Sequence, residues 1–381
     1  MTSLSLPEAC KLALLSQGLS AGAFKGAGIN KTLAAIEKLG YVQIDTLSVV
    51  QRAHHHLLWS RNAGYRLEHL DALIERKQVF EYWSHAAAYL PMSQYRFSLP
   101  RKAALRSGEQ NHWHRKDPRL MTQVLDRIRA EGPLMAKDFD SPGSQRHEWS
   151  GTPYKAALQN LFMQGDLMVV AREKFHKVYD LTERALPDGV DTRTPDSSEY
   201  ARFLVLGYLR AHGLGSLAEF TYLLKGVKPC VALAVAEMVE EGVLRPVEVG
   251  GAPYFTTDLA LALLERRLSR KEARILSPFD NLLIQRRRAT ALFGFDYQLE
   301  CYLPKASRQY GYFCLPVLWD GRLVARADCK AHRQQKHLQV ISLHIEPGLR
   351  RRDAFMLALE QELSRFAEFN DCHRVSIEQV R

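Results

Sequence analysis

No stretch of this chain reaches about 18 uninterrupted apolar residues, so no ordinary membrane-spanning helix is expected. The first ten residues, Met-Thr-Ser-Leu-Ser-Leu-Pro-Glu-Ala-Cys, lack the basic region and apolar run of a secretory leader. Cysteine is sparse. The six present (Cys10, Cys230, Cys301, Cys314, Cys329 and Cys372) form no Cys-x-x-Cys pair. That scatter argues against a disulfide framework or a zinc knuckle, and for free thiols in a reducing cytoplasm.

What is present is globular in character. Hydrophobic residues make up 46% of the chain and charged residues 25%, enough apolar material to bury a sizeable core. A length of 381 residues exceeds one ordinary domain and suggests about two to four units. The net charge is +10, and it is unevenly placed. Between Glu265 and Arg352 stand 18 Lys/Arg against 8 Asp/Glu, so this segment alone carries the whole surplus. A basic C-terminal third on a neutral body points to a surface that meets a polyanion such as nucleic acid; a solubilising face is the plainer alternative.

Two segments repeat one pattern. Around Met121–Arg129, Glu131–Phe139 and Tyr154–Gln164 the spacing gives helix, short helix, helix, followed by strand-like runs at Gly165–Arg172 and His176–Thr182. Tyr200–His212, Gly213–Phe220 and Cys230–Glu241 repeat that order, with strands near Gly242–Val249 and Pro253–Thr257. Helix-turn-helix plus β-hairpin is the winged-helix pattern. A looser third copy is expected at the N-terminus, with helices near Leu6–Gln17, Lys31–Leu39 and Leu67–Lys77 and strands at Tyr41–Asp45 and Phe80–Leu90. From Ser277 onward short strands dominate, at Asp296–Leu303, Gln309–Leu318, Arg322–Asp328 and Leu338–Ile345, with a closing helix at Arg351–Phe369. The expected architecture is therefore α+β: winged-helix modules at 1–100, 101–190 and 196–265, then an antiparallel β-barrel at 275–381. Residues 186–198, rich in Pro, Asp, Thr and Ser, read as the clearest linker.

The sharpest small motif is Gly40-Tyr-Val-Gln-Ile-Asp-Thr46. Residues two apart in a strand share a face, so Gln43 and Asp45 would stand together while Val42 and Ile44 turn inward. A fixed carboxylate can stabilise positive charge developing at a sugar carbon or orient water, and a neighbouring amide can hold that water. Two polar residues on the outer face of a half-buried strand explain the same spacing. The run His54-His-His56 suggests a metal site, yet no Cys, Asp or Glu stands near it at ligand spacing, and a solvated or phosphate-facing run is the simpler reading. Arg286, Arg287 and Arg288 read as a phosphate-contacting patch, or else as a solvated loop. Arg308, Tyr310 and Tyr312 lie in a strand-turn signal that could form a hairpin entering the duplex; alternation places both tyrosines on one face.

Leu39-Gly-Tyr-Val-Gln-Ile-Asp-Thr46 resembles the Gln-φ-Asp motif (φ apolar) of the YcaQ-type (AlkX) branch of the AlkZ-like bacterial DNA glycosylases. Leu57-Leu-Trp-Ser-Arg61, Phe80-Glu-Tyr-Trp-Ser-His85, Leu276-Ser-Pro-Phe-Asp280, Leu299-Glu-Cys-Tyr-Leu-Pro304, Arg308-Gln-Tyr-Gly-Tyr-Phe313 and Arg326-Ala-Asp-Cys-Lys330 extend the likeness, in order, over nearly the whole chain. The resemblance implies three tandem winged helices and a β-barrel curled around double-stranded DNA. It also implies a monofunctional glycosylase that removes N7-alkylated purines and unhooks interstrand crosslinks, with no metal or organic cofactor. Gln43 and Asp45 are then the expected catalytic pair. Arg52, Arg61, Tyr82, Trp83 and His85 join Arg286, Arg287, Arg288, Arg308, Tyr310 and Tyr312 as expected DNA contacts. A cytoplasmic monomer, nucleoid-associated when on DNA, is expected. An open cleft, without an enclosed base pocket, suits a crosslinked base that cannot leave the duplex. A non-enzymatic winged-helix DNA-binding regulator fits the charge and the repeats equally; only the Gln43/Asp45 motif and the family likeness oppose it.

Overall fold

The computed structural model describes residues 2–20, 23–24, 26–139 and 153–381. The fold is mixed α+β and divides into two compact units, one of residues 1–66 with 201–381 and one of residues 67–200. The first expected segment is thus shared between the two units. Among the described residues no helix is long and apolar enough to cross a membrane, and all six cysteines are unpaired thiols.

The larger unit starts with a strand that the sequence pattern did not reveal, Thr2–Leu4, parallel to Arg245–Val249. Helix Leu6–Ser16 follows because Ser5 and Glu8 form a reciprocal capping box and Pro7 occupies the first turn, where a missing N–H costs nothing. Helix Gly28–Leu39 ends at Gly40, whose φ of 78° is open to glycine at little steric cost and turns the chain into the short strand Val42–Gln43. Helix Ala53–Arg61 was not expected; the three histidines lie on it. Later in the chain, Ser197–His212, Leu214–Gly215, Leu217–Phe220, Lys228–Glu240 and the hairpin Arg245–Val249/Ala252–Thr256 follow in order. Leu12, Ala13 and Leu14 of the first helix pack in one core with Val247, Tyr254, Leu282, Leu283 and Phe295.

The C-terminal sheet has five strands in the order Arg274–Ile275, Cys314–Trp319, Arg322–His332, His337–Ile345 and Arg374–Ile377. The first four pair antiparallel and the last is parallel to its neighbour. Among the described residues this sheet keeps two edges, so the expected closed antiparallel barrel is an open, mixed sheet. Two expected strands also change. Residues 296–303 carry a short 3-10 turn, Glu300–Tyr302, and the strand expected from Gln309 begins only at Cys314. The closing helix, Arg352–Phe369, lays Phe366 and Phe369 against the Ala53–Arg61 helix, with ring centroids of 4.7 Å to His56 and 5.0 Å to Trp59 respectively.

The second unit opens with helix Leu67–Glu75 and the antiparallel hairpin Val79–Trp83/Ala87–Pro91. Helix Leu99–Ser107 leads to Pro118–Glu131, whose N-terminus is capped by the Asp117 carboxylate. Strand Leu134–Met135, the short helix Ala136–Phe139, helix Pro153–Gln164 and hairpin Leu167–Glu173/His176–Leu181 complete it. Glu81, 3% exposed, joins the two hairpins through Arg172 (2.9 Å) and Lys177 (2.8 Å).

Candidate active site

The segment around Asp45 is fixed at both ends by the C-terminal half of the chain. Upstream, the Asn281 side-chain N–H donates to the Tyr41 carbonyl (3.2 Å). Downstream, Arg333 donates to the Ser48 carbonyl (3.2 Å), Ala331 N–H to the Val49 carbonyl (3.0 Å), and Gln51 N–H to Asn370 Oδ1 (2.7 Å). A short carboxylate-bearing segment thereby becomes rigid without a long strand of its own.

Asp45 lies two residues past the strand and is half-buried. Its Oδ1 accepts the Leu47 N–H at 2.8 Å. Burial is the largest influence on its pKa and raises it, while hydrogen bonds from the Leu47 and Thr46 backbone oppose the rise by favouring the ionised form. The carboxylate caps no helix, and among the described residues it enters no ion pair with arginine or lysine. Gln43 departs from the expectation of a shared outward face. Val42, Gln43 and Ile44 are 0%, 8% and 8% exposed, so this two-residue strand is covered on both sides.

Burial first, and then the Asp45 charge, push up the Cys301 thiol and the Tyr302 hydroxyl of the Glu300–Tyr302 turn. Tyr302 is 70% exposed. The following loop is built on two buried carboxylates. Glu300 accepts N–H groups from Gln309 (3.0 Å), Tyr310 (2.8 Å) and Gly311 (3.0 Å); Asp328 accepts those of Tyr312 (3.0 Å) and Phe313 (2.8 Å). The three bonds to Glu300 help hold its pKa below the usual value against the opposing effect of burial. Charged acceptors of this kind organise backbone donors that no strand partner satisfies. Tyr302 and Glu300 were visible only inside a quoted motif; nothing in their spacing announced an exposed ring beside a buried anchor.

The loop corrects the hairpin expectation. Arg308 is half-buried, donates to the Glu300 and Leu303 carbonyls, and lies 4.8 Å from the Tyr312 ring centroid. Tyr312 is 40% exposed, whereas Tyr310 turns in, with the Arg326 guanidinium 4.0 Å from its ring and His344 edge-on at 5.2 Å. The two tyrosines therefore do not share a face, because the segment is a pinned loop and not a strand.

Several other expected DNA contacts, Arg61, Tyr82, Arg286 and Arg288, have internal partners. Arg61 is wholly buried in a two-pronged ion pair with Asp280 (2.6 and 2.8 Å) and also donates to Gln17, so it has no hand free for phosphate. Arg288 is buried against Glu219 (2.9 Å). Arg286 donates to the Leu283 and Pro278 carbonyls and covers Tyr297; of the triplet only Arg287 is exposed, because the segment is helix Arg286–Phe293 and not a loop. Tyr82 is a core residue whose hydroxyl donates to the Met163 carbonyl (2.7 Å). His54 and His56 are both 1% exposed, and His56 bonds the Ile275 carbonyl at 2.9 Å, which replaces the expected solvated run. Burial pulls the His55 and His56 pKa values down to about 3 and about 4. Arg52, half-buried, precedes that helix. In the second unit, Trp83 and His85 are half-buried at the hairpin end, and burial lowers the His85 pKa to about 4.

Residues 36–369 match the family described as DNA glycosylase AlkZ-like. Among solved structures, the chain is similar to the Streptomyces sahachiroi DNA glycosylase AlkZ, with a TM-score of 0.69, 18% identity, and 100% of each chain covered.

Proposed function

The chain belongs to the AlkZ-like DNA glycosylase family, and on that premise we propose that this enzyme hydrolyses the N-glycosidic bond of N7-alkylated purines in double-stranded DNA and unhooks interstrand crosslinks. The observation that carries the reading is Asp45: a half-buried carboxylate, held by backbone N–H groups and, among the described residues, in no ion pair with lysine or arginine. A carboxylate kept this way is available to a positive charge that appears only during reaction. An N7-alkylguanine is already cationic and leaves readily, so the transition state concentrates charge at the sugar, and a fixed anion beside it lowers the barrier without a strong general acid.

In this scheme Asp45 stabilises the oxocarbenium-like sugar and orients the attacking water, which Gln43 helps to hold from the edge of its covered strand. Water supplies hydroxide to C1′ and its proton passes to the carboxylate, while the N-glycosidic electron pair leaves with the base. The exposed Tyr302 ring, whose hydroxyl feels the Asp45 charge, adds a surface suited to a cationic base or sugar, since ring faces attract cations. Arg52, Arg287, Arg308, Tyr312, Trp83 and His85 remain the proposed DNA contacts. We read the two helix–strand–helix–helix–hairpin series, and the N-terminal elements with them, as winged-helix modules that carry the duplex.

The test is incubation of the protein with a duplex containing a single N7-methylguanine, followed by alkaline scoring of abasic sites and, in parallel, with a nitrogen-mustard crosslinked duplex. Abasic product and release of the linked strands are expected. No abasic product from either substrate would reject the assignment of these lesions.

A further inference from the structure

We propose that Trp113 and the cations around it form a further nucleic-acid surface, one that stacks an unpaired base. The proposal rests on the reading of the protein as a DNA-acting enzyme. The segment Gln110-Asn-His-Trp-His-Arg-Lys-Asp117 connects two helices of the second unit and is firmly attached. Gln110 N–H bonds the Ala104 carbonyl (3.0 Å), Lys116 Nζ bonds the Leu105 carbonyl (2.5 Å), and Asn160 donates to the Arg115 carbonyl (3.3 Å). Asp117 caps the next helix. An anchored loop could tuck its one large apolar ring inward, yet Trp113 is 59% exposed.

The surroundings of that ring indicate what it meets. Trp113 packs against Trp83 (centroids 5.2 Å) and His112 (3.8 Å), so the indole is backed by other rings and presents a supported surface. Arg101 lies 5.6 Å from the Trp83 centroid. The charged neighbours that depress the His112 pKa to about 4, after burial, are His114, Arg101 and Lys116; for His114 the neighbour is Lys155. These neighbours are basic, and the acidic Glu109 and Asp117 stand at the two ends of the segment. A supported aromatic set among cations is the composition that binds a nucleic-acid strand, the rings taking a base and the cations the phosphates. The sequence reading missed it because His-Trp-His between two helices has no period to read.

The test uses the full chain and two fluorescein-labelled duplexes, one fully paired and one with a single unpaired base, over a range of salt. Trp113→Ala should weaken binding to the bulged duplex by roughly 5- to 100-fold and to the paired duplex much less, with the salt slope unchanged because no charge is lost. Trp113→Phe should restore much of the preference for the bulge. Arg115→Ala with Lys155→Ala should instead flatten the log–log salt slope by about 2. Equal binding of both duplexes by wild type and Trp113→Ala would overturn the proposal and leave the patch to a protein contact. Excision of N7-methylguanine by the wild type is scored on the same preparation. Excision without a Trp113 effect removes this surface alone; a Trp113 effect without excision removes the lesion assignment alone.

Discussion

Individual side chains divide between chemistry and architecture in ways that spacing cannot show. Arg61 and Asp45 were both polar residues in family-like motifs, yet one is wholly buried in an ion pair and the other is half-buried and, among the described residues, in none. We expect Arg61→Ala to lower stability by about 3–5 kcal/mol, because it strands the buried Asp280 carboxylate. Its salt slope for DNA binding should not change; a flatter slope with unaltered urea unfolding would return Arg61 to the DNA surface. Asp45 should show itself in the pH profile. Burial raises its pKa, so the reactive carboxylate is lost on acidification at a higher pH than an ordinary aspartate would show. In single-turnover excision of N7-methylguanine, whose cation does not titrate in this range, an acid limb is expected and should disappear from the residual rate of Asp45→Asn. A limb that persists in the variant would belong to another group.

At the level of elements, helices were legible and strands less so. The helices expected near Leu6–Gln17 and at Arg351–Phe369 stand at Leu6–Ser16 and Arg352–Phe369, the second with a long amphipathic period. Residues 296–313 alternate like strands but fold as a turn and a loop, because Glu300 and Asp328 supply the acceptors that a neighbouring strand would have supplied. Carboxylate anchors leave no periodic trace. The His54–His56 run misled for the opposite reason: three polar residues in a row look solvated until helix Ala53–Arg61 is placed against the C-terminal helix. Gly311 offers a direct probe of the anchored loop. Its φ is 149°, and an added Cβ would stand 2.2 Å from Asp328 Oδ2. Gly311→Ala must displace that carboxylate and free two N–H groups, one of them on the buried Phe313, at a cost of about 2 kcal/mol or more. A lowered urea midpoint with impaired excision is expected; a wild-type midpoint would mean that the loop adapts without loss.

For the whole molecule, the family likeness was legible because its motifs run the length of the chain, and the structure gives a reason for that spread. Asp45 is placed by Asn281, Arg333, Ala331 and Asn370, all more than 200 residues downstream. A site assembled in this way draws recognisable residues from both ends of the sequence. Part of the charge surplus serves the fold: Arg274, Arg286, Arg288 and Arg326 of the basic third have internal partners, and Arg308 donates to backbone carbonyls. Of the 286–288 triplet, Arg287→Ala should therefore flatten the log–log salt slope by about 1, whereas Arg288→Ala should destabilise the fold and leave the slope unchanged. A slope change of about 3 for the triple alanine variant would mean that the buried arginines reorganise onto DNA.

The most direct test is excision by Asp45→Asn under single-turnover conditions on a duplex bearing one N7-methylguanine, with DNA affinity measured on the same preparation. The substitution keeps the size of the side chain and removes its charge. Excision should fall by roughly 100-fold or more while affinity stays near that of the wild type, since phosphate contacts supply most of the binding. Excision at the wild-type rate would contradict the role of Asp45 as the anion facing the reacting sugar.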